Sequence, residues 1–186
     1  MEASILNWIH SHATPTLDSL FILSHWLGNT PFCTALVITA VIINLLRKRP
    51  ALAVLWIVLG LSTFFLQAGL KELVERARPE LWERIVEQGG HSFPSGHALA
   101  SATFYPLIAF NVSLARPRLA IVVWPLAVLM ALYVGLGRGY LGVHWPSDIL
   151  AGWVLGALQT AIAIWVYKRN LAKGAPTQGA PTQPAT

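Results

Sequence analysis

Four stretches of this chain, Ala51–Leu70, Ala98–Ala115, Leu119–Leu136 and Ile149–Tyr167, run for 18 to 20 residues without a charged side chain. Each is about the length of helix that crosses a hydrocarbon core of roughly 30 Å. The composition agrees: 55% hydrophobic and 11% charged residues lie far on the apolar side of a soluble domain. A fifth apolar run, Pro31–Leu46, is shorter, and Gly28–Thr30 extends it into the interface. The expectation is an all-α integral membrane protein, a bundle of five to six transmembrane helices with an interfacial N-terminal segment. Spans use most of the chain and leave no room for a separate soluble domain.

Before the first long run, Ile5–Ile9 and Leu17–Leu27 are apolar but too brief to cross. Trp8, His10, His12, Asp18, His25 and Trp26 are interspersed among them. Such pieces suit the membrane surface, where indole rings partition well. The alternative pairs them into one distorted span, which would put the N-terminus on the other side. With neither a basic leader nor a small-residue cleavage site in the first 30 residues, no cleavable signal peptide is expected. The boundaries are therefore 1–28 for an interfacial segment, 29–170 for the transmembrane domain and 171–186 for a disordered tail. That tail ends in "GAPTQGAPTQPAT", a small and polar repeat with nothing to bury. Cys33 is the only cysteine, which excludes an intramolecular disulfide and a cysteine-based zinc site.

Charge sorts the loops. Arg47, Lys48, Arg49, Arg116, Arg118, Lys168, Arg169 and Lys173 fall at one set of alternate span ends, with no acid among them. The other ends hold Lys71, Arg76, Arg78, Arg84 and Arg138, together with every Asp, Glu and His. Retention of positive charge inside assigns Arg47–Arg49 and the C-terminus to the cytoplasm and the histidine-rich ends to the outside. The net charge of +5 is accounted for by lipid-facing span ends and calls for no nucleic acid partner.

Three polar clusters gather on that outer side. In "KELVERARP", Lys71 and Arg78 are seven residues apart. If the preceding helix continues, they share a face about two turns apart until Pro79 ends it. The plain alternative is a solvated helix end with snorkelling cations. In "PSGH", Ser95 can cap the following helix, Gly96 lets a ligand approach the backbone, and His97 carries a transferable proton. A helix start with free amides is a seat for a phosphate, or simply the start of a helix. In "GRGYLGVHWPSD", Arg138 is followed six residues later by His144, and Asp148 lies four beyond His144. An Asp at that spacing can hold one ring nitrogen of the imidazole and leave the other free to attack, or it can merely start a helix. Three cations, two histidines and a carboxylate at one face suit phosphoryl transfer, in which Arg and Lys meet spread negative charge and a histidine takes the phosphoryl group.

Lys71, six residues, Arg78-Pro79, then Pro94-Ser95-Gly96-His97, then Arg138, five residues, His144, three residues, Asp148 resembles the type 2 phosphatidic acid phosphatase family in order and spacing. The match spans Lys71 to Asp148. The resemblance implies a metal-independent lipid phosphatase or diphosphatase without cofactors. By it, His144 is the nucleophile that forms a phosphohistidine, Asp148 orients it, and His97 protonates the leaving group and later helps activate water. Lys71, Arg78, Ser95, Gly96 and Arg138 would hold the phosphate. One departure is Gly137, where the family usually has Ser, so that Gly137→Ser is expected to leave turnover within about tenfold.

The expected partners are the membrane and a lipid phosphate. By analogy with small bacterial family members, undecaprenyl diphosphate leads, with phosphatidylglycerophosphate, phosphatidic acid and lipid A phosphate as alternatives, in a bacterial inner membrane with the site facing out. The connector Glu80–Gly90 either lays Leu81, Trp82, Ile85 and Val86 on the membrane or is a simple amphipathic link. Gly152 and Gly156, four apart, permit close packing within one bundle or between two. A non-enzymatic transporter or scaffold is the competing class. It would need ionisable residues inside the spans, and the four long runs have none.

Overall fold

The computed structural model describes residues 1–174 and, within them, a wholly helical chain. Seven helices follow one another: α1 (Glu2–His10), α2 (Pro15–Gly28), α3 (Thr30–Leu46), α4 (Pro50–Val74), α5 (Gly96–Ala115), α6 (Ala120–Tyr140) and α7 (Pro146–Gly174), with a 3₁₀ turn at Pro117–Leu119. Helix α7 runs past the boundary expected at residue 171. Residues 175–186, nearly all of the expected disordered tail, lie outside the described residues.

The starts of these helices follow from local chemistry. Thr14 caps α2 by accepting from the Leu17 amide at 3.3 Å, and Pro15 needs no amide partner at the first helical position. Asn29 caps α3 through Oδ1, 2.9 Å from the Phe32 amide. Ser95 caps α5 as expected, its Oγ accepting from the Ala98 amide at 3.5 Å.

Helices α4, α5 and α7, and α6 with its preceding 3₁₀ turn, are each long and apolar enough to cross a membrane. Helices α2 and α3 reach that standard together, across a 49° bend. The chain is thus a four- or five-span membrane protein. The broken pair that forms is α2 with α3, not Ile5–Ile9 with Leu17–Leu27. Helix α2 packs on α5 and α6, while α1 lies against α6 and α7. The elbow residue Gly28 explains the close approach: a Cβ there would fall 2.5 Å from Val134 Cγ1 and 2.7 Å from His97 Cδ2.

Helix α5 is the centre. Its span is 56% buried inside the protein, against 22 to 33% for the other three, so only α5 is surrounded. Side chains such as Phe65, Ile121 and Leu129 on the outer helices are exposed and face where lipid tails would be. Gly152 and Gly156 make their close contacts within this bundle. A Cβ at Gly152 would fall 2.7 Å from the Ser95 carbonyl oxygen, and one at Gly156 2.5 Å from that of Leu99. Deeper in the bundle, Gln159 of α7 donates to Thr63 of α4 at 2.8 Å and to Thr103 of α5 at 2.6 Å, and accepts from Ser62 at 2.8 Å. These polar atoms satisfy one another where water is absent.

Candidate active site

The C-terminal ends of α4 and α6 and the N-terminal ends of α5 and α7 meet at one end of the bundle. There Lys71, Gly96, His97 and His144 line a single cavity of about 480 Å³. Arg78 and Asp148 touch His144 directly. Arg138 joins through Gln88 and His25. Ser95 is fully buried behind them, its amide donating to the Asp148 carbonyl at 3.0 Å.

The route by which Arg78 arrives differs from the expected shared helical face. Helix α4 ends at Val74 because Glu75 adopts a left-handed conformation, with φ of 49°. Beyond it the chain has no regular structure as far as Pro79, which disfavours helix at the residue before it. Lys71 therefore stays on the helix, while Arg78 swings under the loop. Its guanidinium donates to the carbonyls of Gly89, Gly90 and His91 at 2.9 to 3.0 Å and of Val143 at 2.7 Å. The loop is thus wrapped around a cation. Burial, with repulsion from Arg84, pushes the Arg78 pKa down to about 10, and it remains charged at neutral pH.

The same wrapping settles the connector Glu80–Gly90, which has no helix. Trp82 and Val86 turn inward. Trp82 stacks on His10 with ring centroids 4.1 Å apart, and Val86 packs against Tyr140, Leu141 and Val143. Leu81 and Ile85 remain exposed. Trp82 also covers Gly142, whose φ of 68° makes the turn that carries His144; a Cβ there would fall 2.7 Å from the indole.

His144 is 2% exposed. Its Nε2 lies 3.1 Å from Arg78 Nη1. An arginine only donates, so Nε2 accepts and the ring carries its proton on Nδ1. That nitrogen faces Ser92 Oγ at 3.4 Å and Asp148 Oδ2 at 3.7 Å. The Ser92 hydroxyl donates to Asp148 Oδ2 at 2.5 Å, which leaves its oxygen free to accept from the imidazole. Burial pushes the His144 pKa down to about 3; Asp148 opposes the shift and Arg138 and Arg78 add to it. The ring is therefore neutral, with a lone pair on the nitrogen beside a cation. That is the state a nucleophilic histidine requires.

His97 sits on the first turn of α5 with Nε2 3.1 Å from the His25 carbonyl oxygen. A carbonyl only accepts, so this nitrogen carries a proton, and the ring is set up as a donor. The His25 ring stacks on His97 at 5.2 Å, and its Nδ1 accepts from Arg138 Nη1 at 2.8 Å. Arg138 is fully buried, donates its other terminal nitrogen to Gln88 Oε1 at 2.8 Å, and leaves Nε without a partner. A buried guanidinium with an unspent donor calls for an anion. Among the described residues no group of three or more His, Cys, Asp or Glu is placed to hold a metal ion.

Several residues of this site are not evident from spacing. Ser92 and Gln88 arrive by the loop, Gln67 lies within α4, and Glu2 and Arg76 act on Asp148 from elements distant in the sequence. Gln67 packs its amide against Gly96, its Oε1 falling 1.9 Å from where a Cβ would be, so a larger residue there would displace that side chain. His25 had one legible signal, an ionisable side chain within an apolar run.

Gly137 has a structural partner as well. A Cβ at this position would fall 2.0 Å from Ser24 Oγ and 3.1 Å from Ser24 Cβ, so the hydroxyl beside position 137 comes from α2. Ser24 Oγ donates to the Phe21 carbonyl at 2.6 Å. Gly137→Ser is therefore expected to cost about 1–3 kcal/mol of stability by overpacking, whatever its effect on turnover. Thermal unfolding in detergent should show the loss, and Ser24→Gly in the same chain should restore most of it. An unchanged melting temperature in the single variant would contradict this packing.

Comparison with known proteins follows from this geometry. A family model described as the PAP2 superfamily matches residues 30–172. Phosphatidylglycerophosphatase B of Bacillus subtilis (strain 168) is 41% identical over 92 residues, which cover 48% of this chain and 45% of that protein. An undecaprenyl-diphosphatase of Sulfolobus acidocaldarius is 37% identical over 76 residues, covering 41% of this chain and 34% of that one. The chain thus spans less than half the length of these two relatives. The crystal structure of a transmembrane PAP2 type phosphatidylglycerolphosphate phosphatase from Bacillus subtilis superposes with a TM-score of 0.82 at 29% identity, covering 95% of this chain and 87% of that one.

Proposed function

This chain belongs to the PAP2 superfamily, and we propose that it is a membrane-embedded phosphatase that hydrolyses a lipid phosphate or diphosphate through a phosphohistidine. The observation that carries the reading is His144: a neutral imidazole whose unprotonated nitrogen, Nε2, accepts from the Arg78 guanidinium at 3.1 Å at the polar end of a cavity, where a phosphoryl group held by Arg78 would meet it. In the first step Nε2 attacks phosphorus, and the bond from phosphorus to the leaving oxygen breaks. With Nε2 held by the His25 carbonyl, His97 gives a proton carried on its other ring nitrogen, Nδ1, to that oxygen. Arg78, Arg138 and Lys71 offset the charge on the phosphoryl oxygens, with the Gly96 amide at the start of α5 beside them and Ser95 capping that helix. In the second step water attacks the phosphohistidine, His97 takes the proton of the water, and inorganic phosphate leaves with His144 restored.

The cavity supports a lipid substrate. From Lys71 and His144 it continues between α3 and α4 past Val37, Ile38, Ile57 and Phe64, an apolar path for a chain attached to the phosphate. We assign undecaprenyl diphosphate as the first candidate. Phosphatidylglycerophosphate is the second reading, favoured by the likeness to the solved structure over nearly the whole chain. The site end is assigned to the outer face of a bacterial inner membrane, and the end that carries Arg47, Arg49 and Arg116 to the cytoplasm with the C-terminus.

The test is phosphate release by the purified chain in detergent with a chelator present, from undecaprenyl diphosphate, phosphatidylglycerophosphate, phosphatidic acid and lipid A, with His144→Ala as the blank. Release from undecaprenyl diphosphate at least about tenfold faster in kcat/KM than from the others is expected. Faster release from phosphatidylglycerophosphate would replace the first candidate with the second. Release from none of them would refute the phosphatase reading.

A further inference from the structure

Asp148 is completely buried, and both of its oxygens are spoken for. Oδ2 accepts from Ser92 and, at 2.9 Å, from the Trp145 amide, and it faces His144. Oδ1 accepts from Arg76 Nη1 at 2.5 Å. Arg76 lies between Lys71 and Arg78, yet it has no place in the motif that joins them. Its side chain is long and 28% exposed, and an unanchored guanidinium there would be free to leave the carboxylate. The anchor comes from far away in sequence. Glu2, on the first turn of α1, accepts from Arg76 Nη2 through Oε2 at 2.6 Å and from the Ser147 amide through Oε1 at 2.9 Å. Burial works against charge on Glu2, but the Ser147 amide and hydroxyl and Arg76 outweigh it and hold the carboxyl below its ordinary pKa. Arg76 also donates to Ser147 Oγ at 2.6 Å and lies over the Trp145 ring at 5.6 Å.

We propose that Glu2 and Arg76 form a positioning relay, in which α1 holds Arg76 against Asp148 and so fixes the carboxylate that orients the nucleophile His144. The inference rests on the phosphatase reading above. The physical reason is that a carboxylate turns easily about its last bond, and a buried one without a counter-ion is costly. Arg76 supplies both the counter-ion and the direction, presenting Oδ2 rather than a rotated carboxylate to Nδ1 of His144. Glu2 adds a second tie to the same first turn of α7 by accepting from Ser147. Residue 2 lies outside the matched region 30–172, so this support is contributed by a part of the chain that the family match does not cover.

The experiment is a double-mutant cycle on the full chain in detergent, with the lipid phosphate that the wild type hydrolyses fastest. Glu2→Gln keeps an oxygen for the Ser147 amide and loses the charge that faces Arg76. It should lower kcat about fivefold with KM within about twofold of wild type, the pattern of an interaction that matters to the transition state. Arg76→Met should lower kcat at least about fiftyfold, and Arg76→Lys should recover part of that loss. In the Arg76→Met background, Glu2→Gln should have less than about a twofold further effect, because Glu2 acts through Arg76. If Arg76→Met does not fold, the same cycle is run on Arg76→Lys, where a Glu2 effect smaller than in the wild type is expected. A Glu2→Gln enzyme with wild-type kcat, an effect confined to KM, or an equal Glu2 effect with and without Arg76 would overturn the relay. An active wild type with an unaffected Glu2→Gln refutes the relay alone, whereas a wild type that releases phosphate from no lipid refutes the phosphatase reading and the relay with it.

Discussion

Replacing His144 with alanine should lower kcat at least about a thousandfold, or ~4 kcal/mol in the barrier, with the fold intact. The expectation follows from what no neighbour can supply. Arg78 has no available lone pair, Ser92 and Asp148 both face Nδ1 of His144, and His97 is held by the His25 carbonyl with no arginine among the described residues hydrogen-bonded to its ring. Nε2 of His144 is the unprotonated ring nitrogen that faces the Arg78 guanidinium in this cavity. Burial pushes the His144 pKa down to about 3, so the wild-type ring is already neutral in the ordinary assay range and needs no deprotonation before it attacks. The check is single-turnover phosphate release, with the melting temperature in detergent as the control for folding. Activity within tenfold of wild type would remove His144 from the role of nucleophile.

Gly156→Leu should lower stability by about 3 kcal/mol, and activity with it. A Cβ at this position falls 2.5 Å from the Leu99 carbonyl oxygen and 2.9 Å from Ala102 Cβ. The oxygen belongs to the backbone of α5, so no rotamer change relieves the contact and the two helices must separate. Separation reaches the site directly, because the Ser95 amide at the start of α5 donates to the Asp148 carbonyl at the start of α7 at 3.0 Å. Val154→Leu, at a position 64% exposed on the same helix, is the control and should stay within about 0.5 kcal/mol. Thermal unfolding of the two variants side by side makes the comparison. Equal melting temperatures would mean that α5 and α7 do not depend on this contact.

The family and the long spans were legible because each rests on a local pattern. Runs of 18 to 20 uncharged residues report solvent, and Lys71, Arg78, His97, Arg138, His144 and Asp148 keep spacings that are visible in one dimension. The Ser95 cap was legible for the same reason, since a helix start is decided within a few residues. Local pattern ran out where a distant group intervened. The helix expected to carry Arg78 stops at Val74 because the loop closes around its guanidinium through three carbonyls. In the connector, Trp82 is received by His10 and Gly142, while Leu81 and Ile85 stay exposed, a division that no local pattern announces.

By itself, then, the sequence determined the solvent of the spans, which ends collect the histidines, and the spacing of the catalytic candidates. All of these follow from residue type and separation along the chain. Only the tertiary structure decided that His25 would bridge His97 and Arg138, that Ser24 would fill the space beside Gly137, and that Arg76 would join Glu2 to Asp148. Those contacts join residues 72 to 113 positions apart, and no periodicity or motif encodes such pairs. They exist because the α2–α3 elbow and α1 fold back onto α5, α6 and α7, where buried charges and imidazoles need partners that only a neighbouring helix can provide.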